Sequence, residues 1–218
     1  LQKSLEDSGL KLIIKSGSSL EVLEQTIKEA KADYVFWNRL YEPAIRSRDE
    51  KIKTSLKTNG IDVRSFNSHL LYEPWRLETA QGNPFQVFTP FYKASEKISV
   101  EEPQAAPKKM MRADKPVSTL TIENLSLLPK INWDKTMRNT WTPGELQAEK
   151  SLKYFLQTKS SDYQTQRDFP SVEGTSKLSP HLHFGEIGPR QIWHSALKEK
   201  KTDFYRREIV WREFAHHI

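Results

Sequence analysis

Ala32-Asp-Tyr-Val-Phe-Trp37 is near-continuously apolar, the pattern of a parallel strand buried on both faces. Upstream, Leu10-Lys-Leu-Ile-Ile-Lys15 reads as another short strand. Between them, Ser18 or Ser19 can cap a helix that carries Leu20, Leu23, Ile27 and Ala30 on one face. Downstream, residues 42–56 read as a helix with Pro43 in its first turn, where the missing N–H costs nothing. Asn59-Gly60 closes that helix, and Ile61-Asp-Val-Arg-Ser-Phe66 is a third strand. This alternation is the grammar of an open, mostly parallel α/β sheet. The sheet reads as incomplete. Residues 1–8 are an amphipathic helix fragment with no initiator Met and no leading strand, and residues 213–218 stop inside a helical pattern. Both ends therefore read as cut.

Beyond the α/β pattern, residues 67–88 form a loop punctuated by Glu73-Pro74 and Gly82-Asn-Pro84, and residues 90–97 start a further helix. Residues 99–140 carry Pro103, Pro107, Pro116 and Pro129 and a Lys108-Lys109 pair, with few periodic apolar positions. That composition predicts an interdomain linker. Thr142-Pro-Gly-Glu145 has the form of a capping box with proline at the first helical position. Leu146, Ala148, Leu152, Phe155 and Leu156 then supply an apolar stripe, and helices are predicted near 189–199 and 203–217. The expected organisation is an α/β domain over 1–98, a linker over 99–140 and an all-α segment over 141–218.

Six Trp, seven Tyr and ten Phe argue against disorder, although only 36% of the residues are hydrophobic. The 34 Lys and Arg against 28 Asp and Glu give a net charge of +6, which suits a polyanionic partner. With no cysteine, disulfides and thiolate metal sites are excluded. No apolar run is long enough for a membrane span. A monomer in the cytoplasm is expected.

Three stretches carry more specific information. The first is Phe36-Trp-Asn-Arg-Leu-Tyr-Glu-Pro43 with Arg46-Ser-Arg-Asp49, and the second is Phe85-Gln-Val-Phe-Thr-Pro-Phe91. The third runs through Arg167-Asp-Phe-Pro170, Gly174-Thr-Ser-Lys-Leu-Ser-Pro180, Leu182-His-Phe-Gly-Glu-Ile187, Pro189-Arg-Gln191 and Glu208-Ile-Val-Trp-Arg-Glu-Phe214. In this order they resemble the class I cyclobutane pyrimidine dimer photolyases of the photolyase/cryptochrome family, over essentially the whole chain. The resemblance implies an α/β antenna domain followed by the start of an all-α FAD-binding domain. It also implies light-driven repair, in which excited reduced FAD passes an electron to a pyrimidine dimer flipped out of UV-damaged DNA.

Thr175-Ser-Lys-Leu-Ser179 is a hydroxyl-rich turn entering a helix at Pro180. Such a turn can simply cap the helix, or it can hold a pyrophosphate through N–H and hydroxyl donors. By the resemblance, Thr175, Ser176, Lys177, Leu178 and Ser179 wrap the FAD phosphates, and Tyr163 and Tyr205 lie against the cofactor. Relatives often have Arg where Lys177 stands; Lys keeps the charge without bidentate geometry. Tyr205, Glu208, Trp211 and Arg212 fall at helical spacing on one stripe that is mixed where a core face would be aliphatic. A flipped base needs an aromatic wall and a polar contact. Trp211 fits the wall and Glu208 the contact, so these two are the candidate catalytic residues. Arg167 and Arg212 are expected at DNA phosphates. The competing reading is an ordinary amphipathic helix with Trp211 in a core.

A second antenna chromophore is possible and stays open: a folate, a deazaflavin, another pigment or none. Folate-type relatives carry an Asn-Glu pair where Ala44 and Ile45 stand here. Asn38 and Glu42 sit where ligands of α/β sheets gather, or cap the helix from Glu42. Glu213-Phe-Ala-His216 imitates one half of a di-iron motif but has no partner copy, so no metal is expected. His181 and His183 read as helix-packing residues, and Asn124-Leu-Ser126 as a chance sequon. By itself the 218-residue piece is expected to hold FAD weakly and to be inactive. Two alternatives remain: a cryptochrome-type photoreceptor without repair activity, and a stand-alone nucleotide-binding module acting through residues 34–48.

Overall fold

The computed structural model describes residues 1–107 and 116–218. The Lys108-Lys109 pair lies outside the described residues. The chain forms two compact units, Leu1–Phe66 with Ala105–Thr142, and Asn67–Gln104 with Pro143–Ile218.

The first unit runs α1 (Gln2–Asp7), α2 (Ser19–Ala30), β1 (Tyr34–Asn38), α3 (Pro43–Thr58) and β2 (Asp62–Phe66). The two strands pair in parallel, with Tyr34 opposite Asp62 and Asn38 opposite Phe66. This is the predicted α/β architecture, with α3 as the crossover a parallel pair requires. α3 ends in a Schellman turn: the Gly60 N–H bonds the Lys57 carbonyl and the Ile61 N–H bonds that of Leu56. Gly60 supplies the φ of +83° that the turn needs. Ile52, Leu56 and Val63 form the core, with Leu20, Leu23, Ile27, Val35, Trp37 and Ile61 packed against it.

Two expectations fail in this unit. Residues 10–15 form no ladder; the Ile14 N–H instead bonds the Thr119 hydroxyl at 2.8 Å and its carbonyl accepts the Leu120 N–H at 2.8 Å. β1 is also not buried on both faces. Val35 and Trp37 turn to the core, whereas Tyr34, Phe36 and Phe66 are exposed on the other side. The continuous apolar run thus reports an aromatic face that the described helices do not cover.

The predicted linker is held at both of its described ends. Ser118 and Lys15 both bond the Glu29 carboxylate, which they hold down at a pKa of about 2, Lys15 contributing most. Val117 is buried, and the segment also forms α5 (Lys135–Thr140). Residues 99–104 belong to the second unit, where Glu101 pairs with Arg190 at 2.9 Å.

The second unit contains α4 (Phe88–Ser95), α6 (Glu145–Thr158), α7 (Tyr163–Gln166), α8 (Ser179–His183), α9 (Pro189–Leu197) and α10 (Asp203–His217). α10 packs against α4, α7 and α9. The core gathers Phe91, Phe155, Tyr163, Leu178, Tyr205, Ile209, Val210 and Phe214. α4, predicted with the α/β half, is thus part of the helical unit because its Phe88 and Phe91 face α10. The predicted capping box does not form. Gly144, at φ +114°, is the N-cap, so the helix starts beyond Thr142, and Leu146 on its first turn is exposed.

Candidate active site on helix α10

Helix α10 spans the predicted residues 203–217, but its four singled-out side chains do not form one ridge. At about 100° per residue, positions 205 and 211 lie about 120° apart. Tyr205 is accordingly buried at the core margin, and Trp211 is 43% exposed.

Tyr205 sits in an aromatic nest, its ring 4.6 Å from that of Phe155 and 5.2 Å from that of Tyr163. Its hydroxyl is buried without a hydrogen-bond partner among the described residues. Burial pushes the phenol well above its ordinary pKa; the neighbouring Ser176 side chain opposes this in lesser part. The hydroxyl turn and Tyr205 are therefore brought together. Thr175 and Ser179 are exposed, Leu178 is a core residue, and Lys177 pairs with Glu173 at 2.6 Å. Lys177 also takes a left-handed backbone at φ +53°, which costs a non-glycine residue roughly 1–2 kcal/mol. Strain of this kind gathers at ligand sites. α8 is only five residues long, so its dipole is short and the hydroxyls and backbone N–H groups carry the turn's donor capacity.

Gly174 fixes the position of this turn. A Cβ there would lie 2.5 Å from the Gln166 Cβ and 3.0 Å from the Gln166 carbonyl carbon. The bare glycine lets the turn close onto α7, which carries Tyr163.

On the outer side of α10, Glu208 is paired with Arg167 at 2.5 Å. The Arg167 guanidinium lies over the Tyr163 and Phe204 rings at 5.6 and 5.7 Å, and its Nε is 3.4 Å from Asp168. Trp211 stacks on Phe88, with ring centroids 3.7 Å apart and planes 9° from parallel, and Phe214 meets both rings edge-on. The Arg207 guanidinium lies 5.5 Å from the Phe88 ring centroid. Nothing in the local sequence marked Phe88 as the partner of Trp211; it was legible only as part of the Phe85–Phe91 stretch.

Arg212 is turned away from this group. Its Nη1 bonds the His69 carbonyl at 2.9 Å and Glu213 Oε1 at 3.0 Å, and its Nη2 meets the His69 ring at 2.9 Å. Glu213 is fully buried, and its Oε2 accepts the Leu71 and Tyr72 N–H groups at 2.6 and 3.1 Å. Glu213 is thus an anchor for the 67–73 loop, whereas the His216 Nδ1 meets the Arg212 carbonyl of its own helix at 3.0 Å; among the described residues no cluster of three or more such groups is placed to hold a metal. His181 is buried and paired with Glu186 at 2.5 Å, but His183 is exposed, contrary to its reading as a packing residue.

Two recesses lie away from these residues. One of about 630 Å³ is lined by α6 and α9 residues such as Leu152, Lys153, Gln191 and His194. The other, about 380 Å³, lies in the first unit at Trp37, Asn38 and Arg48. Asn38 thus borders a cavity, while Glu42 is the N-cap of α3 without a side-chain cap bond. Among the described residues no helix is long and apolar enough to cross a membrane.

The family model described as DNA photolyase matches residues 1–109. A deoxyribodipyrimidine photo-lyase from Agrobacterium fabrum is 40% identical over the whole chain, which covers 47% of that protein. Cryptochrome-1 of Arabidopsis thaliana is 32% identical, again over the whole chain, which covers 34% of it. The crystal structure of a bacterial class III photolyase from Agrobacterium tumefaciens superposes with a TM-score of 0.94 at 39% identity, over 99% of this chain and 46% of that one. The chain therefore spans about half the length of the photo-lyase relatives it matches, and it belongs to the DNA photolyase family.

Proposed function

We propose that this chain is part of a deoxyribodipyrimidine photo-lyase, which splits cyclobutane pyrimidine dimers in DNA under light with reduced FAD as electron donor. The observation that carries the reading is the two-sided use of α10. Its inner margin presents a buried, unpartnered Tyr205 hydroxyl beside Ser176, and its outer side presents Glu208 and an indole with one face backed by Phe88.

The residues fit FAD. An orphaned phenol is a polar group that a ligand atom can satisfy, and Thr175, Ser176, Ser179 and Lys177 offer hydroxyl and ammonium donors suited to a pyrophosphate. Leu178 contributes its backbone only, because its side chain is in the core. Tyr163 and Tyr205 form the aromatic floor. FAD, when bound, would supply the electron, and these side chains would hold it.

On the outer side, Trp211 offers its free face to a flipped base, and stacking of this kind is worth roughly 1–3 kcal/mol per base. Glu208 offers its carboxyl oxygens as acceptors to base N–H groups. Arg167 is the candidate phosphate contact in the complex with damaged DNA, and Arg212 acts as an anchor of the 67–73 loop. Likeness to the Agrobacterium structure supports class III in place of the class I expected from the motifs. For a second chromophore, a folate or a deazaflavin among the possibilities, the recess beside Asn38 is the candidate position.

The test is repair of a dimer-bearing oligonucleotide by the full-length protein with reduced FAD under blue light. Trp211→Ala and Glu208→Ala are each expected to lose repair while FAD is retained; unchanged repair in both removes the assignment. The similarity to Cryptochrome-1 supports a second reading as a photoreceptor. It predicts light-dependent change in flavin absorbance with no dimer splitting.

A further inference from the structure

We propose that the Arg167–Glu208 ion pair is a latch that damaged DNA opens: a backbone phosphate takes the guanidinium, and the freed carboxylate turns to the N–H donors of the flipped bases. This rests on the reading of the outer side of α10 as the DNA face.

The pair is short, 2.5 Å, and neither side chain is sequestered, with 28% of Arg167 and 21% of Glu208 exposed. Tyr163 and Phe204 lie beneath the guanidinium, so it can change anionic partner without losing its aromatic bed. Asp168 adds a second carboxylate at 3.4 Å. Two carboxylates thus stand at Nη1 and Nε, donors that a phosphate would use, and Glu208 lies one helical turn from Trp211, where a stacked base would present its edge.

A guanidinium can engage either anion bidentately, so what the exchange gains is the release of counterions condensed on DNA. The exchange also leaves Glu208 as a bare carboxylate beside a polyanion. Intact duplex offers that carboxylate nothing, so the latch stays closed against it. A flipped pyrimidine dimer offers ring N–H groups, which replace the lost guanidinium donors. The ion pair therefore converts the presence of an extruded base into affinity, and its energetic weight falls on undamaged DNA as a penalty.

The experiment measures affinity of the full-length protein for matched duplexes with and without one cyclobutane dimer, over roughly 50–200 mM salt. Glu208→Gln removes the charge that holds Arg167. It is expected to steepen the salt dependence on undamaged duplex by about one phosphate contact and to narrow the preference for damaged DNA roughly threefold to fivefold. Adding Arg167→Gln in that background is expected to abolish the steepening, whereas Arg167→Gln alone leaves the undamaged-duplex slope near that of the parent. Glu208→Asp, which draws the charge back by one methylene, is expected to fall between. An unchanged slope in Glu208→Gln overturns the latch. So does an Arg167→Gln variant that alone lowers the slope by a full contact, because Arg167 would then already hold a phosphate with Glu208 in place. Trp211→Ala separates this from the underlying reading. If it abolishes the preference for damaged DNA while Glu208→Gln changes nothing, the latch alone fails; if it leaves the preference intact, the DNA face itself is misassigned.

Discussion

The Trp211 indole lies flat on the Phe88 ring, centroids 3.7 Å apart and planes 9° from parallel, so that α4 supplies one face of the indole with a fixed backing. With Phe214 edge-on to both rings, the indole has one face committed to the protein and 43% of the residue still exposed. This is the arrangement a stacking platform needs, because a pre-set ring loses little freedom when a base arrives.

Phe88→Leu keeps most of the volume and removes the flat surface. It is expected to lower stability by about 0.5–1.5 kcal/mol and to weaken binding of dimer-bearing DNA while leaving undamaged duplex unaffected. Chemical denaturation and paired binding measurements check this. Undiminished preference for damaged DNA would show that Trp211 holds its pose without the ring.

Gly174→Ala forces a Cβ to within 2.5 Å of Gln166. The contact involves backbone as well as side chain, so the turn must move off α7. A cost of about 1–3 kcal/mol is expected, together with weaker FAD retention, since Thr175 and Ser176 follow directly. A melting curve and flavin content superimposable on the parent's would refute the close approach.

Gly60→Ala places a Cβ at φ +83° in the Schellman turn of α3. The expected loss is about 1 kcal/mol, confined to the first unit, with dimer binding unchanged. Hydrogen exchange at Ile61, whose N–H bonds the Leu56 carbonyl, should report it directly.

Glu213 connects stability to pH. Burial raises its pKa from 4.5 to about 7, against the opposing pull of Arg212 and the Tyr72 and Leu71 N–H groups. Between those values the folded chain binds the proton more tightly than the unfolded chain. This contribution is therefore complete below about pH 4.5 and is lost as pH rises through 7, a change on the order of 3 kcal/mol. Glu213→Gln should flatten that slope while still accepting the loop N–H groups through its amide oxygen. Thermal melts of both proteins from about pH 5 to 8 decide this; parallel curves would show that Glu213 ionises normally. Glu213→Ala should instead be destabilised at every pH, by about 1–3 kcal/mol for each N–H left unpaired.

Periodicity, turn chemistry and motif order made the α/β grammar, the bounds of α10 and the likeness to photolyases legible from residues alone. Those signals are local: a 3.6-residue repeat or an Asn-Gly closure reports how the backbone must run and which face turns inward. What a side chain meets on the opposing element is not local. Whether Arg167 faces a phosphate or Glu208, whether Trp211 lies in a core or on Phe88, and whether Glu213 ligates a metal or two loop N–H groups depends on segments far apart in the chain. Charge and aromaticity are compatible with each outcome, and only the packing of α10 against α4 and α7 selects among them.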